Sequence, residues 1–216
     1  MKLRPLFILL LFVASTATLC WIYYKVTHPR QKPEGETWHE VIADLDACCR
    51  RKHVKSMQYD RFAAIAEQES RRQIARLFRA MALSERLQEN NCADAIHQLG
   101  GEYLPPEKIL VFHGTTDGNL ERSIAYELRM NEECKCGEID RAIARDNRFA
   151  ARLLTWSSSV DMRNAAFMHL CLLPEGTAGE WEYLVCPHCG NLFIAAYCEP
   201  YCPFCLTAGS QFVRFD

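Results

Sequence analysis

Cys186-Pro187-His188-Cys189-Gly190 and Cys202-Pro203-Phe204-Cys205, with twelve residues between Cys189 and Cys202, lie near the end of this 216-residue chain. Each Cys-x-x-Cys turn aims two sulfurs from one short loop at a common point, so two such turns describe a tetrahedral four-sulfur metal site. Soft thiolates in that geometry select iron or zinc. Gly190 supplies the permissive backbone that the first knuckle requires. Two chance turns or two disulfides form the competing reading, which leaves the proline after the first cysteine of both knuckles as a coincidence.

Short β-prone runs flank the knuckles, Tyr183-Leu184-Val185 before them and Phe212-Val213-Arg214-Phe215 after, so 180–216 reads as a small β-rich metal module. The chain is 49% hydrophobic, enough for one further domain with its own core. A formal net charge of −2 and a sequence pI near 6.4, with no basic stripe interleaved with aromatics, argue against nucleic acid as the main partner. A small molecule, a redox protein or a metal remains.

At the other end, Lys2 and Arg4 precede an uncharged run from Pro5 to Tyr24, about the length that crosses a bilayer as a helix. Trp21, Tyr23 and Tyr24 read as an interfacial aromatic belt. Ser15-Thr16-Ala17 would suit a cleaved signal peptide, but the apolar run continues through Leu19-Cys20-Trp21-Ile22, which favours a retained anchor over 1–27. The expectation is a single-pass, membrane-anchored protein with its domains on the extracytoplasmic side. A linker spans 28–36.

Thr37 with Glu40 three positions on makes a capping box that opens a helix to about Gln68. A second helical pattern runs from Ser70 to Leu99, where Gly100-Gly101 stops it. Residues 102–118 form a connection too long for neighbouring antiparallel helices and include the β-prone Ile109-Leu110-Val111-Phe112. Thr116 or Asp117 can cap a third helix, Asn119 to Arg145, and a fourth spans Asn147 to Leu172. Four helices with one long crossover between the second and third give a ferritin-like bundle over 37–175. The fold class is thus mainly α: a transmembrane helix, a four-helix bundle and the four-cysteine module. Of the other cysteines, Cys48, Cys49, Cys92, Cys134, Cys136, Cys171 and Cys198 would pair only in an oxidising space, and Cys92 and Cys171 fit as small helical hydrophobes.

Within the bundle, Leu77-Phe78-Arg79-Ala80-Met81-Ala82, Glu89 to Ile96, Leu99-Gly100-Gly101 and Asn119-Leu120 with Ile124 and Glu127 resemble the rubrerythrin family. Cys202-Pro-Phe-Cys205 with Phe212 is similar to that family's rubredoxin-like tail. The likeness covers roughly 40–216. It implies a non-haem iron peroxidase, in which a diiron centre in the bundle reduces hydrogen peroxide with electrons from the four-cysteine iron. It also implies a homodimer and a redox partner protein.

Carried over position by position, the expected ligands depart from the pattern. The first-helix Glu falls at Lys52. The ExxH of the second helix reads Glu85-Arg-Leu-Gln88. Glu127 holds the third-helix position, the further carboxylate falls at Met130, and the second ExxH reads Asp161-Met-Arg-Asn164. Helical spacing independently places Glu85, Gln88 and Cys92 in one apolar stripe, and Ser157, Asp161, Asn164 and Met168 in another. A buried carboxylate needs a partner, so Lys52 is expected to replace the iron charge and pair with Glu85, Glu127 or Asp161. Glu36-Thr-Trp-His39 spells ExxH at a helix start and is read as chance; His97 and His113 are read as ordinary histidines. The expected function is electron transfer through iron in the four-cysteine site, with the diiron centre largely lost; the alternatives are a zinc-stapled structural or interaction protein and residual peroxide reduction at a remnant site of Glu85, Glu127 and Asp161.

Overall fold

The computed structural model describes residues 15–21, 23–24, 38–173 and 180–216. The chain divides into two compact units, 1–37 and 38–216. In the first unit, 15–21 and 23–24 are helical. Most of the expected anchor lies outside the described residues, and among those described no helix is long and apolar enough to cross a membrane. The expectation of a transmembrane helix, and of a membrane-anchored location with it, is corrected accordingly.

In the second unit, α1 (His39–Gln68) and α2 (Arg72–Gln98) form a long antiparallel hairpin. The expected cap Thr37 lies outside the described residues; Trp38 stands at the N-cap and makes no side-chain cap bond. Ser70 turns the hairpin at φ 60°. Phe78 on α2 packs against Tyr59 and Phe62 of α1, with ring centroids 5.9 and 5.5 Å away. The crossover comes next, and Ile109–Phe112 forms no strand there. Instead Gln58 holds the Phe112 backbone from both sides, donating to its carbonyl at 3.0 Å and accepting from its N–H at 2.8 Å.

The third predicted helix is broken. It comprises α3 (Thr116–Met130), a π-helical turn (Asn131–Lys135) and α4 (Cys136–Ala144). Thr115 caps α3 by accepting from the Gly118 N–H. α5 (Arg148–Cys171) closes the bundle, its N-terminus capped by Asn147. Arg51–Glu138 and Arg141–Asp44, both at 2.7 Å, tie α1 to α4.

β1 (Tyr183–Val185), β2 (Leu192–Ile194) and β3 (Val213–Phe215) form an antiparallel sheet in the order β2-β1-β3. Strand alternation divides its work. Tyr183, Val185, Leu192 and Ile194 join the core of α1 and α2, whereas Leu184 and Phe193 face the cysteines. The module therefore lies on the bundle. At the join, Ser84 Oγ on α2 donates to the Gly190 carbonyl at 2.5 Å, and Asn91 Nδ2 donates to the His188 carbonyl at 2.7 Å.

Gly190 has φ +75°, and a Cβ there would stand 2.7 Å from the Ser84 carbonyl oxygen. Gly190→Ala should cost about 2–4 kcal/mol through left-handed strain plus a backbone clash. A lowered thermal midpoint together with weaker metal retention would report it, and an unchanged midpoint would contradict it.

Candidate metal centre and the bundle charge cluster

The two knuckles are built alike. In the first, the Gly190 N–H bonds the Cys186 carbonyl and the Cys186 N–H bonds the Asn191 carbonyl, both at 2.9 Å; in the second, Leu206 N–H to Cys202 carbonyl and Cys202 N–H to Thr207 carbonyl repeat the pattern at 2.9 and 2.8 Å. The residue after each closing cysteine takes a positive φ, Gly190 at 75° and Leu206 at 62°. For leucine that conformation is disfavoured by about 1–2 kcal/mol. It persists because the knuckle's paired bonds hold it.

These turns bring Cys186, Cys189, Cys202 and Cys205 together, with all four sulfurs within 4.8 Å of one another. Cys186 and Cys205 lie 3.4 Å apart, and Cys189 and Cys202 3.5 Å. A metal–sulfur bond of about 2.3 Å requires tetrahedral edges of roughly 3.8 Å, so the donor set fits one ion with small adjustment. Hydrogen bonding from the Cys189 thiol, aided by backbone N–H groups of Cys189 and His188, pulls Cys186 below the usual thiol range. Thr207 Oγ1 lies 3.1 Å from Cys205 and Asn191 Nδ2 3.8 Å from Cys202. Phe193 and Phe212, stacked at 5.0 Å, join the cluster that walls the sulfurs. Cys205 is the ligand left partly accessible.

In the bundle, Glu85 (α2), Glu127 (α3) and Asp161 (α5) converge, with carboxylate oxygens within 4.8 Å of one another. Each is at most 1% exposed. Lys52 of α1 lies 3.0 Å from Glu85 and 2.6 Å from Asp161, as the sequence led one to expect. Lys55, one turn on, lies 3.1 Å from Glu85, 2.8 Å from Glu127 and 2.7 Å from Asp161. Lys135, in the π turn, pairs with Asp161 as well. The formal charges of three ammonium groups and three carboxylates cancel.

Neighbouring polar groups complete the shell. Tyr59 Oη donates to Glu127 at 2.6 Å and Asn164 Nδ2 to Glu85 at 3.1 Å. Gln88 turns away from the carboxylates to Ser84, donating to its carbonyl and hydroxyl at 3.2 and 3.0 Å. Met130 is half-buried and belongs to no carboxylate pair, as its side chain dictates. Burial opposes ionisation of Glu85, but Lys52 and Lys55 outweigh it and hold the carboxyl below the ordinary range. Burial lowers Lys55 too, yet Glu127 and Glu85 raise it above the usual lysine value. Lys135 is pushed well below that value by burial and by Lys52 and Lys55. A largely apolar cleft of about 110 Å³ between α1, α3 and Phe112 reaches Lys55 and Tyr59.

His39 and His97 are exposed, and His113 accepts from Arg61 at 3.2 Å, so none joins either cluster. Lys55 and Lys135 are the residues that sequence reasoning missed. A signal existed for Lys55, which comes three residues after Lys52 and so shares its face.

The fold is similar to that of nigerythrin. Its fully reduced, all-ferrous structure matches with a TM-score of 0.69 and 22% identity, over 81% of this chain and 86% of that one. A partially reduced nigerythrin matches over the same shares at the same identity, with a TM-score of 0.68. An open-pore ferritin from the hyperthermophilic archaeon Archaeoglobus fulgidus matches with a TM-score of 0.53 and 12% identity, over 63% of this chain and 87% of that one. No family model matches the sequence, and no curated protein does. Nigerythrin is a rubrerythrin-family protein, so the resemblance read from the residues holds at the level of the fold, and the four-cysteine cluster fits a rubredoxin-like module.

Lys55→Met would leave Glu127 and Asp161 short of a buried counter-charge. The expected loss is about 3–5 kcal/mol in urea unfolding; a loss below about 1 kcal/mol would show the ion pairs to be dispensable. Because the folded pKa of Glu85 is depressed, its stabilising contribution is complete above the unfolded carboxyl range and disappears as pH falls through the folded value. Stability measured below about pH 4 should therefore drop more steeply in the parent than in Glu85→Gln.

Proposed function

We propose that this is a rubrerythrin-like metal-binding protein that carries single electrons through one iron held by Cys186, Cys189, Cys202 and Cys205, without a diiron peroxidase centre. The fold and the four-thiolate set support the metal-binding part of the reading. The observation that speaks against a diiron centre is the position of Lys52, Lys55 and Lys135, whose side-chain nitrogens lie among the three carboxylates that two irons would need. Protonated lysine cannot ligate, and its charge does what a cation would do for the carboxylates.

Iron held by four thiolates exchanges one electron, and hydrogen bonds to the sulfurs tune its potential. In this chain Thr207 and Asn191 are placed to supply such bonds. Electrons would enter at Cys205, the most accessible ligand, from a redox partner protein. Exposed Tyr201 and Leu206 lie beside the second knuckle, giving such a partner apolar contact.

Elemental analysis and absorption spectroscopy of the full chain, expressed with both iron and zinc supplied, test the reading. About one iron per chain is expected, in a red protein that bleaches on reduction, with the colour lost in Cys205→Ser. Colourless protein carrying zinc alone would overturn electron transfer and leave the metal a folding role. Iron clearly above one per chain would overturn the claim that lysines replace the diiron centre.

A further inference from the structure

Cys48 and Cys49 on α1 and Cys92 on α2 form a second sulfur cluster, 1%, 0% and 2% exposed. The Sγ atoms of Cys48 and Cys92 lie 3.8 Å apart. A disulfide requires about 2.05 Å, so bonding needs the two sulfurs to approach from their present contact distance. Cys49 also neighbours Cys92, but its thiol donates to the Glu89 carbonyl at 3.5 Å. Beside Cys48 stands Ser157 Oγ at 3.5 Å, an uncharged neighbour. Neither the four-cysteine centre nor the charge cluster uses these thiols.

We propose that Cys48 and Cys92 form a disulfide that staples α1 to α2 when the chain folds under oxidising conditions. Its position gives it a purpose. Cys48 precedes Lys52 by one helical turn and Cys92 lies one turn after Gln88, so a bond there fixes the register that delivers Lys52 and Lys55 to Glu85. It also closes a loop spanning the whole hairpin turn, which restricts the unfolded chain.

Burial and acidity set the timing. The hydrogen bond with Cys92 and burial raise Cys48 well above the ordinary thiol range. For Cys92, the bond to Cys48 lowers the value, but the bond to Cys49 and burial outweigh it and leave it at about 12. Closed helices therefore hold unreactive thiols. The bond forms before they close. With oxidised glutathione as oxidant, the Cys92 thiolate attacks one of its sulfurs, the glutathione S–S bond breaks and one glutathione thiolate leaves. Cys48 thiolate then attacks the Cys92 sulfur of the mixed disulfide and expels the second glutathione thiolate. Two protons pass from the cysteines to the two glutathiones, and two electrons reduce the oxidant.

The test is refolding of the full chain with zinc, either in a reduced/oxidised glutathione buffer or in reduced glutathione alone. Each sample is acid-quenched, denatured, alkylated with iodoacetamide and mapped by mass spectrometry. The oxidised sample should contain a cross-linked peptide pair joining Cys48 to Cys92, with Cys49 alkylated, and should melt about 10 °C above the reduced sample. Cys49→Ala should retain the cross-link. Alkylation of both Cys48 and Cys92, or a bridge through Cys49, overturns the proposal on the parent chain alone, whatever the variants do.

Discussion

Three carboxylates, Glu85, Glu127 and Asp161, are drawn from three different helices into one buried volume. Their mutual repulsion and lost hydration would cost several kcal/mol per group if nothing answered them. The bundle can close only because α1 contributes Lys52 and Lys55 and the π turn contributes Lys135. Since these charges come from separate elements, satisfying them sets the rotation and height of each helix relative to the others. The break between α3 and α4 belongs to the same requirement. A π turn carries an extra residue per turn, which rotates the face that the downstream helix presents, and Lys135 ends that turn, pointing at Asp161. Tyr59 and Asn164 then take up carboxylate lone pairs that the ammonium groups leave.

One turn of α2 joins this cluster to the metal module. Glu85 points into the bundle, whereas Ser84 and Gln88 pack beneath Gly190 at the first knuckle. The two sites therefore share a single turn of one helix. The sheet reinforces the join by placing Tyr183 and Val185 in the helical core and Leu184 against the cysteines.

Much of this was legible in the residues because it rests on local periodicity. The knuckles declare themselves by spacing, the stripe Glu85, Gln88 and Cys92 comes from the helical repeat, and the position of Lys52 comes from the family resemblance. Lys135 was illegible for a physical reason. A repeat of 3.6 residues continued through 131–135 gives the wrong face once a π turn intervenes. β2 escaped notice because three residues, Leu192-Phe193-Ile194, carry no alternation long enough to read; its partner β1 decides its conformation. An apolar N-terminal run suggested a membrane anchor, but among the described residues no helix is long and apolar enough to cross a membrane.

The internal lysines bear on biosynthesis. A diiron bundle without its ions carries clustered carboxylates that lack a counter-charge, at a cost to its stability. On the reading proposed for this chain, the counter-charges are covalently attached to the polypeptide and arrive with it from the ribosome. Helix assembly then becomes independent of cellular iron supply, and scarcity of the element would be felt only at the knuckles.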